Sequence, residues 1–344
     1  MRGHVLAVRL DSAGDVLLQG PAIRAIAREA DEVTLLCGPR GRDAARLLPG
    51  VDRILVHRSA WIDPKPASLD HTAVERLVEQ VRAIRPREAV IFTSFHQSPL
   101  PTALLLRLGG VPRISAISPE YPGSLVNVRH HVDDDVHEVV RSLSLAAAAG
   151  FWLPANDDRA LAVVDVPPPD MDEFPRPYVV VHPGTSVPAR AWRAERHAEV
   201  VDALARAGTR VIVTGSPGEE ALTAFVAGEP RPGIVDLGGR TSLRDLAEVL
   251  RGADAVVVGN TGPAHLAAAV GTPVVSLFAP TVPAVRWRPW GVPHVLLGDQ
   301  DAACAGTRAT TCPVGGHPCL AAVAVADVLD ALARVCAMPA EAAA

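Results

Sequence analysis

The chain reads as two doubly wound, Rossmann-like α/β domains, each built on a parallel sheet, facing each other across a cleft. Three observations predict this. Short apolar runs alternate with longer helical stretches along the whole chain. The runs are continuous rather than alternating in polarity, as in strands covered on both faces. A Pro/Asp-rich stretch interrupts the alternation near the middle, and 344 residues suit two cores better than one.

In the first half the strand-like runs are 5–10 (VLAVRL), 32–37, 53–57, 88–93 and 113–118. In the second half they are 178–184 (YVVVHPG), 209–216, 233–239, 253–260, 273–280 and 294–299. Three helices are legible between them. The first, 20–30, opens with Pro21, which a first turn tolerates. The second, 71–84, places Val74, Leu77, Val78 and Val81 on one face. The third, 242–253, starts at Ser242, whose hydroxyl can cap, and stops at Gly252. The run 320–336 reads as one long helix. The boundaries predicted are a first domain at 1–155, a linker at 156–177 containing Pro167, Pro168 and Pro169, a second domain at 178–320, and a helix and tail at 321–344 able to pack back on the first domain.

Composition narrows the function classes. Hydrophobic residues make up 49% and charged residues 21%, the balance of a packed protein. A net charge of −5 without a basic stripe argues against a nucleic-acid face. Lys65 is the only lysine, and with the many Ala and Pro this reads as G+C-rich coding rather than function. The five cysteines, Cys37, Cys304, Cys312, Cys319 and Cys336, are odd in number and follow no secretory signal, so reduced thiols in a cytoplasm are expected. No apolar run approaches the roughly 20 residues that span a bilayer. An acceptor held in a membrane would be reached from its surface.

Four loops that follow apolar runs carry the candidate chemistry. In 9–21 (RLDSAGDVLLQGP), Gly14 permits a tight turn and Asp15 stands at a helix start, where the dipole favours a carboxylate; the alternative is that Asp15 is simply an N-cap. In 182–192 (HPGTSVPARAW), Gly184, Thr185 and Ser186 offer donors for an anion, and Arg190 can neutralise phosphate oxygens. In 214–220 (TGSPGEE), Gly215 and Ser216 let backbone approach a ligand and Glu219 can accept from ribose hydroxyls; an ordinary solvated loop is the alternative. In 258–280, Asn260, Thr261 and Gly262 end a strand, and Pro263 opens a small-residue helix whose N–H groups suit an anion. His265 can bond a phosphate or sugar oxygen, or simply hold that loop. The sequence has no GxGxxG after its first strand, no GxxxxGK[ST] and no GxSxG, which argues against a nicotinamide Rossmann module, a P-loop ATPase and an α/β-hydrolase.

With these residues in place, the chain resembles glycosyltransferase family 9, the heptosyltransferase-like family of GT-B fold. The resemblance lies in GDVLLQGPAIRAI, HPGTSVPARAW, GNTGPAHLAAAVGTPVVSLFAPT and the Cys-containing CPVGGHPCL at 312–320, and it covers nearly the whole chain. It implies a first domain that binds acceptor and a second that binds a nucleotide-sugar donor. It implies inverting transfer of a sugar, often a heptose from ADP-heptose, to an acceptor hydroxyl, with no bound metal and no cofactor beyond the donor substrate. Asp15 would be the general base, with Gly14 on the acceptor side. Thr185, Ser186 and Arg190 would meet the diphosphate, Glu219 the ribose, and Thr261, Gly262 and His265 the phosphates and sugar. Two positions depart from the better-known heptosyltransferases. Arg190 stands where they carry Lys, and Asn260 where they usually carry Asp, which puts the identity of the sugar in question. Cys304, Cys312, His317 and Cys319 lack a close CxxC pair, which argues against zinc, and the resemblance implies a structural or acceptor-side role for them. A glycolipid in lipopolysaccharide assembly and a small natural product are both open as acceptor. The segment 58–70, with Trp61 and Ile62, is expected to be a surface loop. The competing readings are a nucleotide-sugar epimerase or donor hydrolase of the same shape, and a non-catalytic nucleotide-sugar-binding protein.

Overall fold

A computed structural model describes residues 3–133, 135–164 and 175–338. The chain divides into two compact units, Met1–Val164 and Asp165–Ala344. The triple proline at 167–169 lies outside the described residues.

The first unit holds a six-stranded parallel sheet. Its strands are β1 (His4–Arg9), β2 (Glu32–Cys37), β3 (Arg53–Val56), β4 (Glu88–Ile91), β5 (Ile114–Ile117) and β6 (Val128–His130). They lie in the order β3-β2-β1-β4-β5-β6. Its helices are α1 (Ala13–Leu17), α2 (Gly20–Glu29), α3 (Arg42–Ala45), α4 (His71–Ile84), α5 (Leu100–Leu108) and α6 (Glu138–Ala149). The central strand β1 pairs on both sides, with Val8 opposite Leu36 of β2 and Ile91 of β4. Being buried on both faces, it has the continuous apolar run that marked it in the sequence. β6 was not foreseen. It is three residues long, at the sheet edge, with Arg129 exposed, too short for a periodic signal.

Helix starts follow local chemistry. Asp70 caps α4 by accepting from the Ala73 N–H at 3.1 Å. Of the expected face of α4, Leu77 and Val81 are buried, and Val74 and Val78 pack half-buried against the same core. The 58–70 segment is anchored to that core rather than loose over it: Trp61 and Ile62 pack against it, and the Trp61 indole donates to Thr102 Oγ1 at 3.0 Å.

The second unit repeats the plan. Strands β7 (Tyr178–His182), β8 (Arg210–Val213), β9 (Ile234–Asp236), β10 (Ala255–Gly259), β11 (Val274–Leu277) and β12 (His294–Leu297) form a parallel sheet in the order β12-β11-β10-β7-β8-β9. The helices are α7 (Ala194–Arg206), α8 (Glu220–Ala227), α9 (Leu243–Gly252), α10 (Gly262–Ala269), α11 (Ala284–Trp287), α12 (Pro318–Ala321) and α13 (Val325–Ala337). Ser242 caps α9 as expected, in a capping box with Asp245.

The single helix read at 320–336 is two. α12 ends at Ala321, and α13 starts afresh after Ala324, whose N–H donates to Asp327 Oδ2 at 2.8 Å. Val323, between them, turns into the core. Val328, Ala331, Leu332 and Val335 of α13 are buried in the core of the second unit, and the helix packs on α7 and on β10, β11 and β12.

Candidate active site

In an open parallel sheet, ligands bind beyond the carboxyl ends of the strands where the winding direction reverses. The second sheet reverses between β7 and β10, and the first between β1 and β4. The candidate residues fall at these two places.

In the second unit, three of the loops singled out from sequence leave adjacent strands, in the order β10, β7, β8. The loop after β7 starts with buried His182, Pro183 and Gly184, then turns outward through half-buried Thr185 to exposed Ser186. Gly184 is glycine because the chain is crowded there: a Cβ would lie 2.3 Å from the Glu219 carboxylate oxygens. Glu219 comes from the loop after β8, where its Oε2 accepts from the Ser216 N–H at 2.8 Å and the Ser216 hydroxyl at 2.6 Å. Part of its capacity thus shapes its own loop. Gly215 is buried against Thr223, whose methyl would lie 2.6 Å from an added Cβ.

Beneath these loops His182 Nδ1 hydrogen-bonds Thr214 Oγ1 at 3.0 Å. Burial pushes His182 down to about 4, although the nearby Glu219 charge opposes this. His197 of α7 is pushed down to about 3 by burial and by His182 beside it, with its ring edge-on to Trp192 at 4.9 Å. The floor of the site is therefore neutral.

Arg190 ends a short 3₁₀ turn, Pro188–Arg190, and its Nη1 donates to the Asn260 carbonyl at 3.5 Å. This links the β7 and β10 loops. The turn is held by the Cys-containing segment: the Ala189 N–H donates to Thr310 O at 3.0 Å, and His317 Nε2 donates to Ala189 O at 2.9 Å. Behind it, Cys304 and Cys319 are buried side by side in the apolar core. Burial and these neighbouring thiols push Cys319 up to about 11.

Asn260 is 5% exposed, and its Nδ2 has no hydrogen-bond partner among the described residues. A buried amide donor without a partner is costly and suits a site that a ligand completes. Thr261 is the N-cap of α10 but its hydroxyl does not cap; it donates weakly to Gly259 O at 3.4 Å. Gly262 and Pro263 form the first turn, and His265 is buried one turn in.

In the first unit, Asp15 is the third residue of α1, and Ser12 is its N-cap. Asp15 Oδ2 accepts from the Ser12 hydroxyl at 2.6 Å and the Ser12 N–H at 3.3 Å. Asp15 is therefore not the N-cap but the N3 partner of a capping box, because Ser12 takes the cap position, and its carboxylate stays 21% exposed. Gly14 is buried beside it. Sequence reasoning missed what stands behind Asp15. Arg9, 1% exposed at the end of β1, donates from Nη2 to Asp15 Oδ1 at 3.1 Å and to Ser94 Oγ at 3.0 Å. Its Nη1 reaches Glu138 Oε2 at 2.9 Å and its Nε pairs with Asp11 Oδ2 at 2.8 Å. Gln97, after β4, donates to Asp11, and its own carbonyl accepts from the Ser94 N–H at 2.9 Å. Burial works against the Arg9 charge, but Asp11, Glu138 and Asp15 outweigh it and hold its pKa above the usual value. Burial raises Glu138 and Asp11 despite Arg9. One signal was available: an arginine inside an otherwise apolar buried run requires buried partners. Nothing local pointed to Glu138, 129 residues away.

Next to Asp11 is a cavity of about 190 Å³ beyond the ends of β1, β2 and β3, whose lining includes Arg40, Arg58, Ser59, Asp63 and Lys65. Three cations against one carboxylate, Asp63, which pairs with Arg58 at 3.4 Å, leave the cavity net positive and favour an anionic occupant.

Residues 95–317 match the family described as glycosyltransferase family 9 (heptosyltransferase). Lipopolysaccharide heptosyltransferase 3 of Escherichia coli is 32% identical over 116 residues, covering 33% of this chain and 34% of that protein. The chain thus spans about a third of the length of that relative. Lipopolysaccharide heptosyltransferase 1 of Salmonella typhimurium is 27% identical over 315 residues, covering 81% and 89%. The ADP-heptose lps heptosyltransferase II of E. coli superposes with a TM-score of 0.73 at 17% identity, over 97% of this chain and 98% of that one. The two parallel six-stranded sheets are those of the GT-B fold. The chain belongs to glycosyltransferase family 9.

Proposed function

We propose that this protein transfers a sugar, a heptose from an ADP-heptose-type donor, to an acceptor hydroxyl with inversion. The observation that carries the reading is the meeting of Arg190 and Asn260 across the β7–β10 reversal of the second sheet, at the start of α10. An anionic leaving group placed there meets a guanidinium, a buried amide donor and first-turn N–H groups. A departing diphosphate gains negative charge, and such donors stabilise it most as the bond breaks. Thr185, Ser186, Thr261, Gly262 and His265 complete the donor loops, with Gly184 and Gly215 letting those loops pack against Glu219 and Thr223, and Glu219 offering its remaining capacity to the ribose. The charge on the diphosphate falls to Arg190 and N–H groups, so chelator leaves turnover unchanged.

The relatives named above act on ADP-heptose or lipopolysaccharide according to their names, which supports a heptose donor and a glycolipid acceptor here. The cationic cavity beside Asp11 suits an acceptor that carries acidic groups. Asp15 is the base that takes the proton of the acceptor hydroxyl, its carboxylate held by Ser12 and partly open to solvent. Among the described residues no helix is long and apolar enough to cross a membrane. The reading places the reaction in the cytoplasm, at the inner membrane surface for a lipid-linked acceptor.

The test is mass spectrometry of products formed from ADP-heptose and heptose-free lipopolysaccharide, with ADP-heptose alone as control. A heptosylated acceptor is expected. Free heptose from donor alone at the same rate would indicate a hydrolase. Asp15→Asn should lower turnover by about 10²–10⁴-fold while ADP affinity holds; wild-type turnover in that variant would remove Asp15 from the base role.

A further inference from the structure

We propose that Arg9 is a positioning residue for Asp15, and that Glu138 is the buried counter-charge that fixes Arg9 in that task. The inference rests on the reading of Asp15 as the base. Arg9 is 1% exposed and Asp15 21%, so the guanidinium supports the carboxylate from behind while one edge of Asp15 faces solvent.

The geometry divides the work of the guanidinium. Nη1 donates to Glu138 and Nη2 to Asp15 and Ser94, while Nε lies 2.8 Å from Asp11 Oδ2 as an ion pair without hydrogen-bond geometry. A planar fork hydrogen-bonded to Glu138 at Nη1 and to Ser94 at Nη2, with the Asp11 charge beside Nε, presents its remaining Nη2 proton to Asp15 in one direction. Glu138 is fully buried in the first turn of α6, where the helix dipole favours its charge; Arg9 Nη1 holds its Oε2, and its Oε1 has no hydrogen-bond partner among the described residues. The Ser142 hydroxyl one turn on reaches Glu138 O at 2.6 Å and also Gln19, whose amide donates to Asp15 O at 3.1 Å. Ser12 holds the second oxygen of Asp15. The base is thus fixed from β1, α1, α6 and the loop after β4 together.

The charges are unequal. Arg9 faces Asp11 from the loop after β1, Asp15 from α1 and Glu138 from α6, with Arg141 acting on Glu138 and Arg40 on Asp11. Asp15 and Glu138 repel one another and compete for one cation. The state of Glu138 therefore sets how strongly Arg9 holds Asp15 as the anion.

The test uses the full chain. Removing Arg9 outright would leave three carboxylates without a cation and could unfold the unit, so Glu138→Gln and Arg9→Lys are the informative variants. Glu138→Gln keeps an oxygen for Arg9 Nη1 and removes one negative charge. Its side-chain carboxyl resonances are followed by ¹³C NMR across pH, with the Asp15 signal identified by its loss in Asp15→Asn. The Asp15 titration is expected to move to lower pH in Glu138→Gln by about half a pH unit or more, with the acid limb of turnover moving alongside. Arg9→Lys keeps charge but not the fork, and turnover should fall roughly 10–100-fold with ADP affinity unchanged. An Asp15 titration that stays in place in Glu138→Gln overturns the proposal. The titration needs no substrate, so it stands whatever Asp15→Asn does to turnover. Full activity of Asp15→Asn would remove the base reading, whereas an inactive Asp15→Asn with an unmoved titration removes only the positioning role.

Discussion

Asn260 and Arg190 show what one residue can decide. Asn260 is almost wholly buried, yet its amide nitrogen has no partner among the described residues. Arg190 holds the carbonyl of the same residue from the neighbouring loop. A charged hydrogen bond contributes about 1.5–3 kcal/mol, so Arg190→Ala should weaken ADP binding roughly 10–100-fold; calorimetry giving the wild-type constant would remove Arg190 from the diphosphate. His182 and His197 carry a second prediction. Both are held neutral by burial, near 4 and near 3, against an ordinary 6.5. Above pH 6.5 neither the folded nor the unfolded chain protonates them. As pH falls below 6.5 the unfolded chain takes up protons that the folded chain refuses, so their contribution to stability drops by about 1.4 kcal/mol per pH unit for each. The loss ends near pH 4 for His182 and near pH 3 for His197. Replacing the ring by one that does not titrate isolates this effect. The gap in urea stability between wild type and His197→Phe should shift toward the variant between pH 7 and pH 5, and a constant gap would contradict it.

At the level of elements, most of the fold was legible because buried parallel strands are continuous apolar runs and helices announce their ends. β1 and β7 are buried along nearly their whole length, and α4 and α9 begin where Asp70 and Ser242 can cap. Ser242→Ala removes an acceptor for the Asp245 N–H and should cost about 1 kcal/mol, read from urea denaturation. Two elements escaped for opposite reasons. β6 is an edge strand of three residues and carries too little pattern. The 320–336 run carries too much: Ala and Val continue through the break, and the bond from the Ala324 N–H to the Asp327 carboxylate marks the new start. The Cys-containing segment gained a specific task. It pins the turn that carries Arg190, which sequence motifs alone did not reveal.

At the scale of the whole molecule, each unit repeats one plan and places its chemistry at the reversal of its own sheet. A ligand that binds only the folded second unit should stabilise it by mass action, by about 2.7 kcal/mol at a concentration 100 times its dissociation constant. ADP should therefore raise the melting temperature of wild type, and much less that of Arg190→Ala; equal shifts would place ADP away from these loops. The sequence by itself determined the two parallel sheets, the loops at their carboxyl edges and the family, because strand burial and tight glycine turns are local requirements written in consecutive residues. The tertiary structure alone decided what stands behind Asp15. Arg9, Ser94 and Glu138 meet only when β1, β4 and α6 pack together, and a charge inside a core is satisfied by partners that distance along the chain conceals.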